Sequence, residues 1–322
     1  MAQWINDIGR LVIPTPFPVG DVNLYVIKGE KLTLIDAGPK TEEAWEALQS
    51  ELNELGLTLS DIEQVILTHH HPDHVGLLDY FPADMQIIGH PLNERWLNRT
   101  EEFLQQNNDF YQQVLTEFGL IQYYDKVMTR LHGELAYFCD RSLAQEICEG
   151  DEPPGLKGWR VIETPGHAQS HIGLLRESDG VYIGGDHLLA HISPNPLMEP
   201  PLPGQSERPK SLLQYNESLD KLSRYPLALV LPGHGEVFTN VNEIIPQRKK
   251  AQHERAMKVK KWLMEESMTV FDICKRLFPK AYKMQLPLTV SETIGQLDYL
   301  LAIGEVSEYK KNGVSFYSSQ MR

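Results

Sequence analysis

The 322-residue chain holds only three cysteines, Cys139, Cys148 and Cys274. None stands in a C-x-x-C pair, and the odd number excludes a disulfide framework. Each reads as a small buried hydrophobe in a reducing compartment, which makes the expected location cytoplasmic. The chain has no apolar run of about 18 residues, so no membrane-spanning helix and no membrane partner is expected. Its start, MAQWINDIGRLVIP, lacks the basic segment and apolar stretch of a secretory signal. Positive charge is short as well, and a net charge of −14 argues against a general nucleic-acid binder. No internal repeat is present. What remains is an ordinary globular composition, 41% hydrophobic, of a length that suits one large domain with a smaller appendage.

The charge is unevenly spread. Residues 246–322 carry 14 Lys+Arg against 8 Asp+Glu, a balance of +6, which leaves −20 on the other 245 residues. A solvated helix face accounts for the basic end; a patch that attracts phosphates is the alternative.

Along the chain, NLYVI (23–27), KGE (28–30) and KLTLI (31–35) read as a β-hairpin around a Gly-containing turn. Thr41 can cap a helix that stops near Gly56, with Ala44, Trp45, Leu48, Leu52 and Leu55 at helical spacing. Short strands follow at 65–67 and 85–88. From 91 to about 150 the composition turns to helix formers, NERWLNRTEEFLQQNNDFYQQVLTEFGL, read as a helical insertion that could form a lid. Strands return at 159–162, 172–175 and 181–183, then a Pro-rich loop at 193–204, a helix over 209–224 and a strand at 227–231. Beyond Pro246 a basic helix to about Glu266, two further helical segments and a terminal VSEYKKNGVSFYS, whose Asn312-Gly313 is a hairpin signal, suggest a winged-helix module. The expected domains are therefore 1–245, with the 91–150 insertion, and 246–322.

Four clusters of side chains stand behind strand-like segments. Residues 68–77, THHHPDHVGL, crowd four of the 12 histidines into six positions as His69-x-His71-x-Asp73-His74. TPGHAQSH (164–171) holds His167 and His171, IGGDH (183–187) holds Asp186, and LPGHGE (231–236) holds His234. Zinc takes imidazole nitrogen and carboxylate oxygen, and a catalytic site needs at least three protein ligands. Six or seven candidates suffice for two ions sharing a bridging carboxylate. Without a cation, so many titratable groups converging in a cleft would carry a large desolvation cost. A lone PGHG or GGD is most simply a turn, and a solvated loop is the lesser reading of H-x-H-x-D-H alone; the four together point to metal.

This set resembles the metallo-β-lactamase superfamily over roughly residues 10–245, in the order and type of all four motifs. The resemblance implies an α+β fold, an αββα sandwich, followed here by the small winged-helix-like domain. It implies that His69, His71 and His167 hold one metal, that Asp73, His74 and His234 hold the second, and that Asp186 bridges. Two divalent ions follow, zinc first, with iron or manganese open. The implied activity is hydrolysis of a small ester, thioester or lactone by a metal-bound hydroxide that Asp73 orients. THHHPDH and TPGHAQSH look like glyoxalase II and its broad relatives, while the C-terminal region looks like the appendage of the β-lactamase-like-protein-2 group. A phosphodiesterase or ribonuclease is the second reading, with nucleic acid as partner, and a non-enzymatic metal-binding regulator the third. A homodimer stays open.

Four other positions belong to the same neighbourhood. His70 lies between two candidate ligands and should face away from them, because alternate residues of an extended segment point to opposite sides. His171 suits either substrate contact or support of a ligand. His187 and His191 read as packing or surface residues. Asp36, at the end of the first hairpin, is either a turn residue or a hydrogen-bond partner of a ligand-bearing loop.

Overall fold

The computed structural model describes residues 2–319. Its first sheet has seven strands in chain order: β1 (Gln3–Ile5), β2 (Ile8–Ile13), β3 (Val22–Lys28), β4 (Leu32–Ile35), β5 (Gln64–Ile66), β6 (Gln86–Gly89) and β7 (Gln145–Glu146). β1 to β4 are antiparallel, and β4 to β7 are parallel. The parallel step from β4 to β5 is made by helix α1 (Glu42–Glu54), which begins where the Thr41 hydroxyl accepts from Ala44 N at 3.1 Å. Glu42 and Glu43 in its first turn suit the positive end of the helix dipole. Ala44, Leu48 and Leu52 recur every fourth residue and are fully buried against the outer face of this sheet. Cutting either leucine to alanine would cost about 2–5 kcal/mol.

The second sheet has the order β11 (Leu229–Pro232), β10 (Val181–Gly185), β9 (Ile172–Arg176), β8 (Trp159–Glu163). The two sheets face each other across a core that takes Ile27, Ile35 and Ile66 from the first, and Val161, Leu174 and Ile183 from the second. Alternate residues point outward: Ile162 and Tyr182 pack with Leu212, Tyr215 and Leu219, a cluster that also covers this sheet. These last three belong to a helix at Ser211–Leu222, so the layers run helix, sheet, sheet, helix.

Behind β5 comes a single turn of helix, α2 (Pro72–Val75). The expected insertion holds α3 (Glu94–Leu97), α4 (Glu101–Glu117) and α5 (Tyr124–Glu134), but it ends earlier than its composition suggests. Residues 145–146 have rejoined the sheet as β7, where Ile147 is buried beside them. The helix at Ser211–Leu222 is α6. The helix expected from Pro246 begins instead at Val241, as α7 (Val241–Leu263), with Pro246 inside it. A proline there gives up one backbone hydrogen bond. Burial of Val241, Ile244 and Ile245 against the sandwich outweighs that loss.

The far half of α7 buries Ala256, Val259 and Trp262 in a different cluster. There it meets α8 (Val270–Leu277) and α9 (Leu286–Ala302), and also Phe110, Val114 and Phe118 of the insertion. A three-stranded sheet closes this region: β12 (Met268–Thr269), β14 (Val314–Ser318) and β13 (Ser307–Lys311), side by side in that order. Asn312 and Gly313, with φ of 51° and 80°, make the tight turn that joins the last two strands. Of the cysteines, Cys139 and Cys274 are buried as expected, whereas Cys148 is exposed, in a turn whose backbone donates to Asp151. Among the described residues no helix is long and apolar enough to cross a membrane.

Candidate metal centre

The topology explains why four distant motifs meet. β8 and β10 both run antiparallel to β9 and so share a direction; β11 is parallel to β10. The three loops after them therefore emerge at one edge of the second sheet. The histidine run after β5 meets them there, and the sheets are stitched at this point by Ile172 N to Thr68 O (2.8 Å) and Asn23 N to Gly233 O (2.6 Å).

All seven candidate ligands arrive in one cluster. The donor atoms of His69, His71 and His167 lie within 4.8 Å of one another, as do those of Asp73, His74 and His234. Asp186 stands between the two triads. Its Oδ2 is 3.5 Å from His167 Nε2 and 3.3 Å from His234 Nε2, and its Oδ1 is 3.4 Å from His74 Nε2. Asp73 Oδ2 is 3.2 Å from His234 Nε2. Gly233 lets these loops close: a Cβ there would lie 2.2 Å from Asp186 Oδ1.

Four of the five imidazoles are held from behind. His167 Nδ1 donates to the Asn195 carbonyl at 2.9 Å, and His234 Nδ1 to the Asp21 carbonyl at 2.7 Å. His74 Nδ1 donates to Asp36 Oδ2 at 2.8 Å. Thr68 donates its hydroxyl to the same Asp36 oxygen at 2.7 Å and so accepts from His69 Nδ1 at 3.0 Å. With Nδ1 of these four carrying a proton, their Nε2 atoms face the centre, whereas His71 turns its Nδ1 inward, 2.9 Å from His69 Nε2. Asp36 is thus the support of two candidate ligands, and its φ of 61° turns the chain to bring it there. His171 stands behind Asp186: its Nε2 accepts from Asp186 N at 3.1 Å while Nδ1 donates to Thr164 Oγ1 at 2.7 Å.

The chemistry of the donor set can be tested on the atoms that nothing satisfies. His74 Nε2, His167 Nε2, His234 Nε2 and Asp186 Oδ1 are all buried without a hydrogen-bond partner, and all four belong to this cluster. Orphaned buried polar atoms are rare in folded proteins. Four that converge on one volume, all nitrogen or carboxylate oxygen, fit divalent metal. The electrostatics agree. Burial, with the neighbouring imidazoles, holds His69 and His71 well below the usual imidazole range, and burial lowers His167. Burial also pushes His74 and His234 down, but Asp186 and the other carboxylates outweigh it, raising His74 well above that range and His234 to about 10. The same contacts hold Asp73 and Asp186 low against their own burial. Protons on His74 and His234 balance the buried carboxylates, a role that a metal cation takes over.

The remaining histidines divide as chemistry suggests. His70 turns away from the centre and stacks on Trp96 with ring centroids 4.5 Å apart, bonded to Ser170 Oγ at 2.8 Å. His187 is buried against the Tyr215 ring, and His191 is exposed. Sequence reasoning misses the carbonyls of Asn195 and Asp21, which carry no side-chain signal, and Glu199. That buried carboxyl accepts from Gln169 N at 2.8 Å and lies 3.9 Å from His70 Nε2.

Comparison with known proteins gives a consistent result. The profile of the metallo-beta-lactamase superfamily matches residues 17–234. The chain is 44% identical to the probable metallo-hydrolase YqjP of Bacillus subtilis (strain 168), over 98% of this chain and 99% of that one. It is 25% identical to the beta-lactamase-like protein 2 homolog of Caenorhabditis elegans, over 82% of this chain and 73% of that one. Among solved structures, a metallo-beta-lactamase family protein from Thermus thermophilus superimposes with a TM-score of 0.81 at 25% identity, over 98% of this chain and 99% of that one. The shared architecture therefore extends through the insertion and the C-terminal module.

Proposed function

The chain belongs to the metallo-β-lactamase superfamily, and we propose that within it the protein is a dinuclear hydrolase of a small ester, thioester or lactone. That it is a metal-dependent hydrolase follows from its family and its His/Asp cluster. The observation that carries the finer reading is the set of orphaned Nε2 and carboxylate atoms around Asp186. His69, His71 and His167 would hold one ion, Asp73, His74 and His234 the other, and Asp186 Oδ2, which faces His167 and His234 alike, would bridge. Zinc suits five imidazoles and two carboxylates. When bound, such ions supply Lewis acidity and a water whose pKa falls from 15.7 toward about 7.

The chain's own residues do the rest. Asp73 faces His234 through Oδ2, which leaves its other oxygen to accept a hydrogen bond from the attacking water and orient it. Asp36 keeps the proton of His74 on the nitrogen remote from the centre. His171 fixes the backbone at Asp186. The burial of His69, His74 and His234 keeps bulk water from the centre. The C-terminal module runs helix–strand–helix–helix–hairpin, an order that suits the winged-helix reading, and about half of its described basic side chains are ion-paired. Lys249 pairs with Asp220, Arg255 with Glu292, Lys260 with Glu305 and Lys310 with Glu117. This favours a carbonyl substrate over a polyanionic one.

The test sets acyl thioesters and lactones against bis-aryl phosphate and short single-stranded RNA, each on zinc-loaded and chelated protein. Carbonyl hydrolysis that is lost on chelation and restored by zinc is expected. Cleavage of the phosphodiesters alone would overturn the proposal in favour of a nuclease, and metal binding without any turnover would overturn it in favour of a binding protein.

A further inference from the structure

A cavity of about 140 Å³ opens beside His71 and Pro72, at the edge of the metal cluster. His71 forms part of its wall, and the rest comes from parts of the chain that take no part in the cluster. Helix α4 gives Leu104 and Tyr111, α5 gives Met128 and Leu131, and Phe138 follows them. Leu197 and Met198 of the Pro-rich loop and Leu288 at the start of α9 close the other side. Polar groups on the wall are mostly engaged with one another. Arg130 donates to Glu134 Oε1 at 3.2 Å and to the Met284 carbonyl, and His132 is bonded to Asn108 Oδ1 at 3.1 Å. The Ser291 hydroxyl accepts from Met198 N at 3.2 Å. Asn107 Oδ1 is the exception, buried without a hydrogen-bond partner.

We propose that this cavity is the specificity pocket of the enzyme, that it takes an apolar group of about six carbons next to the scissile carbonyl, and that the C-terminal module serves as one of its walls. The proposal rests on the hydrolase reading above and deepens it. Three observations carry it. The lining is mainly apolar, with Arg130 paired to Glu134 and the buried Glu199 carboxyl held by Gln169 N, so a charged or strongly hydrated substituent would lose solvation without gaining a free partner. The volume is close to the roughly 150 Å³ at which an apolar protein cavity takes up benzene, which limits the occupant to a short aliphatic chain or a single aromatic ring. The position against His71 puts anything seated there directly next to the reacting centre. The apolar group could be the acyl tail or the alcohol or thiol that leaves; both have the same chemistry, and experiment separates them.

The test reads both binding and turnover. Metal-free protein is titrated by calorimetry with linear carboxylates, and separately with linear alcohols, of two to twelve carbons. Zinc-loaded protein is assayed on the corresponding esters. Affinity and kcat/KM are expected to rise by roughly fourfold per methylene up to about six carbons and then to level or fall. A limit in the acid series assigns the pocket to the acyl tail, and one in the alcohol series to the leaving group. Leu288→Trp, which fills the cavity from the C-terminal side, should move the limit to shorter chains. Leu288→Ala, which enlarges it, should move the limit to longer ones, with zinc content unchanged in both. Ester turnover without chain-length dependence, and without binding of either series, overturns the pocket and leaves the hydrolase reading standing. A chain-length limit in binding without turnover of any ester, thioester or lactone leaves the pocket standing and removes the hydrolase reading. A limit that neither Leu288 variant moves overturns the role of the C-terminal module.

Discussion

Asp36→Asn changes one atom and should undo the orientation of two candidate ligands. Asp36 Oδ1 accepts from Thr68 N at 2.7 Å, while Oδ2 accepts from the Thr68 hydroxyl at 2.7 Å and from His74 Nδ1 at 2.8 Å. Asparagine can keep its oxygen on the Thr68 backbone, which puts its NH2 where the two other donors point. His74 then has to offer a lone pair at Nδ1 and carry its proton on Nε2, the nitrogen that faces the centre. Thr68 loses the acceptor for its hydroxyl, and with it the reason to accept from His69 Nδ1. Loss of a group that supports a metal ligand typically weakens affinity by about 10–100-fold, roughly 1.4–2.7 kcal/mol. Each buried donor left unpaired takes a further 1–3 kcal/mol or so from stability. Zinc affinity would be measured by competition with a chromophoric chelator, and the fold checked by circular dichroism. Wild-type affinity at both sites, within about twofold, in a folded Asp36→Asn protein would refute the tautomer argument.

Three further outcomes are expected. Asp73→Ala should lower bound zinc from about two ions per chain to about one and abolish most turnover with little change in circular dichroism; two ions by elemental analysis would sink the ligand assignment. Gly233→Ala forces a Cβ to within 2.2 Å of Asp186 Oδ1, so it should destabilise by about 1–3 kcal/mol and reduce metal content together, and an unchanged melting temperature would contradict it. Glu199 is pushed up to about 7 by burial, above its unfolded value, so the acid is favoured in the folded state. Its contribution is therefore complete below about pH 4.5 and lost as pH rises through about 7, a change of up to roughly 3 kcal/mol. Glu199→Gln should flatten that part of the stability profile; denaturant titrations at pH 5 and pH 8 giving parallel differences for both proteins would refute it.

Legibility in the sequence follows the range of the physics. α1 is readable because its cap at Thr41 and its apolar positions all lie within one helix. The C-terminal hairpin is readable because Asn312-Gly313 adopts positive φ at low cost. The cluster is readable because each motif carries its donor beside small residues behind an apolar strand. The start of α7 is hidden because Pro246 is a strong local breaker, and what overrides it is burial of Val241 and Ile245 against a sheet that no local pattern reveals. The role of Asp36 stays open in the sequence because the two residues that bond its carboxylate, Thr68 and His74, lie more than 30 residues away. Cys148 departs from expectation because cysteine is usually buried, whereas its turn follows from the pairing of β7 with β6.

The two functions of the site are carried by different cores, and that separation has a consequence. The metal cluster hangs from strand ends anchored in the core between the sheets, through Ile66, Val161, Ile183 and Leu231. The cavity beside it is walled by α4, α5 and α9, whose apolar faces share another cluster with α7 and α8. α7 is the rod that joins them, buried in the sandwich at Ile244 and in the other cluster at Val259. Loosening the second cluster, for instance by Leu297→Ala in the buried face of α9, should cost about 2–5 kcal/mol locally and shift the walls of the cavity. Metal affinity should hold to within a few-fold, because the ligand loops meet that cluster indirectly, through Asn195, which accepts from His167 Nδ1 and donates to the Leu288 carbonyl at 2.8 Å. Substrate chain-length preference should blur at unchanged zinc content. If zinc affinity fell in step with specificity, the two cores would be mechanically one, and the substrate pocket could not vary without disturbing the metal centre.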